Sequence, residues 1–230
     1  MNMFARPGTD AIRVRSRLRS LAGPLAAAAL FAGSTIGPRL ADTVTSDPGK
    51  AADVIAAVAA QRDASLWAGV FLMVGLALLV PFFAGITAVI TARGAFLATI
   101  GGTLAMTGAV CGALSQWFFF SEFQLTAPGV PADAAVAGLT SLPGWQGILL
   151  FLGFLGCLTV GWALLAVAAW RSGVFARWQV AAFAGAWLAL VVSHSFWSAL
   201  VLVVPAVAMA STIAAGPKHP ARAKPERVAA

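Results

Sequence analysis

Charge is what this chain has least of. Asp, Glu, Lys and Arg make up 10% of its 230 residues, against 60% hydrophobic, where a soluble domain carries about 25% charged residues. A soluble fold this short cannot hide so much apolar surface, and lipid as the solvent removes the conflict. The mean hydropathy of +0.88 points the same way. The 2 cysteines, Cys111 and Cys157, each lie in an apolar run, which argues against a disulfide framework. The 2 histidines, His194 and His219, give no pair at i and i+4, so neither a metal site nor bis-histidine haem ligation is expected. GxSxG elbow, P-loop and paired catalytic carboxylates are all missing from the sequence, so no catalytic residue and no cofactor is expected. No charged residue falls in the middle of an apolar run, which argues against a buried carboxylate relay or a voltage sensor.

The apolar runs themselves are long. A bilayer core of about 30 Å takes roughly 17–25 residues of helix. The pattern predicts an all-α integral membrane bundle of about six transmembrane helices, with spans at about 21–38, 66–91, 95–118, 145–170, 178–193 and 197–214. Residues 1–20 form a basic arm, and residues 215–230 are expected to be a disordered basic tail. The first span also has the form of a signal peptide, but Pro38 directly after Thr35 and Gly37 disfavours cleavage, so retention as an anchor is expected. Before the second span, Asp47 and Pro48 announce a short surface helix. Residues 119–144, punctuated by Pro128, Gly129, Pro131 and Pro143, read as irregular. As one helix the last run would be about 55 Å long, too long for a bilayer, and it is split near Ser193, His194 and Ser195.

That split makes the charges agree. With six spans, Arg6, the row Arg13, Arg15, Arg17 and Arg19, then Arg93, Arg171, Arg177 and the basic tail all fall on one side. Only Arg39, Lys50 and Arg62 fall on the other. The positive-inside rule then puts both termini in the cytoplasm of a cell-membrane protein. Trp67, Trp117, Trp145 and Trp197 mark outer boundaries and Trp170 and Trp178 inner ones, where indole favours the headgroup region; Trp162 and Trp187 sit mid-span.

Three features could carry function. Gly101, Ala105, Gly108 and Gly112 in the third span, and Ala181 and Gly185 in the fifth, have helix-packing spacing, within the bundle or between copies. Gln116, Trp117, Glu122 and Gln124, with His194 reaching the same outer side, could bind a cation or a lipid headgroup, or exchange a proton. The basic arm suits anionic lipid, and a nucleic-acid partner is not expected, since the charges flank apolar segments. Pro81 and Pro205 are expected to kink their helices.

The Arg-rich start, the segment from Ser46-Asp47-Pro48 to Asp63 and Trp67, and the run from Gly75 to Pro81 resemble uncharacterised small multi-pass membrane proteins of high-GC actinobacteria. That resemblance implies a cell-membrane location and no activity. The expected role is a non-enzymatic accessory or assembly component of a cell-envelope or transport system, with a membrane-protein partner. The alternative is a small transporter or lipid-handling protein.

Overall fold

The computed structural model describes residues 7–36, 47–91, 93–141, 149–150, 152–193 and 196–215. Among them there are helices and no strands. The long ones are α1 (Pro7–Ile36), α3 (Arg62–Val89), α4 (Ala95–Ser115), α7 (Gly153–Ser172), α8 (Arg177–Ser193) and α9 (Phe196–Ala215); the short ones are α2 (Pro48–Ala60), α5 (Trp117–Leu125) and α6 (Ala132–Ser141). Of the long helices, α3, α4 and α7, with 28, 21 and 20 residues, are long and apolar enough to cross a membrane. Of the others, α1 carries Arg13, Arg15, Arg17 and Arg19 in its first half, and α8 has 17 residues.

The six long helices close into a ring. α1 packs on α3, α3 on α4, α4 on α7, α7 on α8, α8 on α9, and α9 returns to α1. Small residues set the closeness of two of these seams. A Cβ on Gly75 would lie 2.7 Å from Leu30 Cγ of α1, and one on Gly101 would lie 2.8 Å from Leu164 Cβ of α7. At the turn between α3 and α4, Gly94 adopts φ 94, open to glycine alone without strain, and comes within 2.8 Å of the Ala168 carbonyl by its missing Cβ. Outward-facing positions remain apolar, with Ile100, Val110, Val160, Val167, Leu188 and Val204 exposed, as expected of a surface wetted by hydrocarbon rather than water.

Large aromatics fill the centre. Trp162 of α7 stacks on Phe183 of α8 at 4.5 Å between ring centroids and on Trp187 at 5.1 Å, and meets Phe83 of α3 edge-on at 5.2 Å. Phe82, whose ring fills the space beside Gly23 of α1, meets Phe183 at 6.4 Å. The two tryptophans that the boundary pattern left unexplained are therefore the core of the bundle.

The structure adds detail to two expectations and corrects a third. The described part of the basic arm and the first apolar run share one helix, α1, of 30 residues, because arginine is a good helix former and Pro7 suits a first helical position. The stretch read as irregular contains α5 and α6. Pro131 starts α6 rather than breaking it, and the i, i+4 pair Ala135 and Leu139 is buried in a helix that packs on α2. Of the two settings expected for Ala181 and Gly185, packing within the bundle is not what they do: both face outward, a Cβ on Gly185 meeting nothing within 4 Å, because α8 packs through Val180, Phe183, Ala186 and Trp187.

Candidate functional site

Charge separates the two ends of the ring. At one end stand Arg15, Arg17 and Arg19 of α1, Arg93 of the turn, and Arg171 and Arg177 between α7 and α8; Asp10 is the one acid of the described helices on that side. Arg177 lies 5.5 Å from the Trp170 ring centroid, a cation resting on an aromatic face at the helix boundary. At the other end, α2, α5 and α6 pack on one another, and α2 and α5 also touch α3. This cap carries Asp47, Asp53, Asp63 and Asp133 with Lys50 and Arg62. Asp47 starts α2 by accepting from the Gly49 N–H at 2.9 Å, as an N-cap acid should.

Beneath the cap lie polar atoms without partners. Arg62 opens α3, and its guanidinium carbon sits 3.9 Å from the centroid of the Phe123 ring of α5. Its Nε is buried and unpartnered. One turn further along α3, the buried Ser65 hydroxyl has no hydrogen-bond partner either. Elsewhere Ser20, Ser34, Thr87 and Ser115 donate back to carbonyls three or four residues earlier, the usual fate of a helical hydroxyl. Gln116, where α4 gives way to α5, donates from Nε2 to the Gly112 carbonyl at 3.3 Å and leaves Oε1 buried and unpartnered. Buried polar groups are almost always satisfied, and leaving one bare costs about 1–3 kcal/mol. The fourth such atom among the described residues, Trp187 Nε1, belongs to the aromatic centre.

The outer site expected from the sequence is brought together only in part. Gln116 is buried, Gln124 is exposed on α5, Trp117 and Glu122 lie on α5 with side chains outside the described residues, and His194 lies outside them altogether. Arg62 and Ser65 went unnoticed as site residues because a basic residue and a serine before an apolar run read as an ordinary helix start. Their signal, a lack of partners, exists only in three dimensions. Of the packing residues, Gly101, Ala105, Gly108 and Gly112 are buried on the face that α4 turns to α7, where Gly161 abuts the Ala105 backbone and Gly108 abuts Leu158. Among the described residues no group of three His, Cys, Asp or Glu is placed to hold a metal.

No family model, no curated protein and no solved structure matches the chain.

Proposed function

We propose that this is a six-span protein of the cell membrane with both termini in the cytoplasm, acting as a non-catalytic accessory or assembly component of a cell-envelope or transport system. The observation that carries this reading is the filled centre of the ring. A permeation path needs a polar or water-filled route, and the stack of Trp162, Phe183 and Trp187, edged by Phe83, occupies the axis instead. The six-span count is supported by the ring itself, in which α1, α8 and α9 also take places beside α3, α4 and α7. The cytoplasmic orientation is supported by the arginines at one end, where Arg15, Arg17 and Arg19 also suit anionic lipid.

The test is native mass spectrometry of the full chain extracted gently from its own membrane. A second membrane protein at fixed stoichiometry is expected. A chain that instead carries a small-molecule cargo, or conducts ions after reconstitution, would overturn the accessory reading. A second reading, lipid handling at the cap end, is favoured by the unpartnered Arg62, Ser65 and Gln116 atoms.

A further inference from the structure

The cap-end atoms form a series in depth. The Thr87 hydroxyl approaches the Ala98 carbonyl at 3.4 Å, fixing the antiparallel register of α3 and α4. The Arg62–Phe123 contact continues that register into α5. It places Ser65 level with residue 120 and Gln116 level with Gly69, so the three unpartnered groups step inward from the cap at intervals of about one helical turn, roughly 5 Å. Ser65 and Gln116 are only 4% and 9% exposed. Trp67, between Ser65 and Gly69, is 55% exposed on the outer surface, and a tryptophan so placed marks headgroup depth.

We propose that Arg62, Ser65 and Gln116 form a binding site for a phosphate ester that carries hydroxyl donors, as the headgroup of phosphatidylglycerol does. The chemistry of each bare atom selects its partner. Arg62 Nε can only donate, and a guanidinium is the side chain best matched to phosphate oxygens. Arg62 also stands in the first turn of α3, where Gln61 supplies no side-chain cap and the helix end itself favours an anion, set against the carboxylate of Asp63 in the same turn. Ser65 can donate to the same phosphate, whereas Gln116 Oε1 can only accept and requires a donor such as a glycerol hydroxyl. A choline headgroup offers no hydrogen-bond donor and would leave Gln116 Oε1 bare. This site rests on α3 and α4 spanning the membrane, and on neither the accessory nor the lipid-handling role.

The experiment is lipid retention by the delipidated full-length protein, read by native mass spectrometry after titration with phosphatidylglycerol or with phosphatidylcholine of the same acyl chains. A parallel titration uses soluble glycerol phosphate. Wild type should hold one phosphatidylglycerol per chain at least tenfold more tightly than phosphatidylcholine. Arg62→Gln and Ser65→Ala should each lower that retention about tenfold, Arg62→Lys should lower it less, and Gln116→Leu should abolish the preference between the two lipids. Equal affinity for glycerol phosphate would support the site and name a soluble ester as its source. Ser65→Ala separates the site from a misfolded variant, because deleting a bare buried hydroxyl should hold or raise the unfolding temperature. A wild type with no headgroup preference, or a Ser65→Ala chain that is more stable with lipid retention unchanged, means that water alone fills these positions and overturns the proposal. Labelling of Lys50→Cys from outside the cell tests the spanning topology separately.

Discussion

The indole Nε1 of Trp162 donates to the backbone carbonyl of Phe183 at 2.9 Å while the rings of the same two residues stack at 4.5 Å. One pair of residues thus joins α7 to α8 by a polar and an aromatic contact at once, in a fully buried place. In lipid, helices gain little from burying apolar surface against each other, so such a directional contact counts for more in choosing the neighbour.

Replacing Trp162 by Phe keeps a ring but deletes the donor, and should destabilise the protein by about 1–2 kcal/mol. Trp162→Ala also opens a cavity among Phe83, Phe183 and Trp187 and should cost about 3–5 kcal/mol. Thermal unfolding in a single detergent checks both. Equal losses for the two variants would mean that the hydrogen bond carries most of the interaction.

Glycine substitutions should divide by position rather than by helix propensity. Gly75→Val drives a side chain into Leu30 and should separate α1 from α3, lowering the unfolding temperature sharply. Gly101→Val should do the same to the seam of α4 with α7. Gly185→Ala meets nothing within 4 Å and should be neutral, or stabilise by about 0.5–1 kcal/mol as alanine replaces glycine within a helix. A strongly destabilised Gly185→Ala would show that the outward face of α8 is covered by another chain.

Topology can be read with single cysteines on a Cys111→Ala, Cys157→Ala background. Lys50→Cys, on α2, should react in intact cells with a maleimide that cannot cross the membrane, and Arg93→Cys, in the turn after α3, only after permeabilisation. Labelling in the reverse pattern would invert the proposed orientation.

Much of the fold was legible because its signals are one-dimensional. The α3–α4 hairpin follows from two apolar runs around Gly94, and the helix of α2 from Asp47 and Pro48. What the sequence hides is which face meets which. Gly108 and Gly185 have the same local spacing, yet one is pressed against Leu158 and the other is open, because the large apolar residues of α8 lie on its opposite side. Trp162 and Trp187 looked like exceptions to a boundary rule, since nothing local distinguishes an interfacial indole from one stacked at a bundle's centre. Gln116 could be picked out as a candidate at the cap end, but Arg62 and Ser65 could not, because an unmade hydrogen bond leaves no mark in a sequence.

The ring closes between α1 and α9. In time, that seam joins two helices made far apart, since α1 ends at Ile36 and α9 begins at Phe196. While residues up to about 193 are being made, one flank of α1 has its neighbour α3, and the other must face lipid or a chaperone. The ring therefore cannot close before α9 is made, and a product cut short before Phe196 leaves α1 with an open side, which is what a quality-control protease working in the membrane would find.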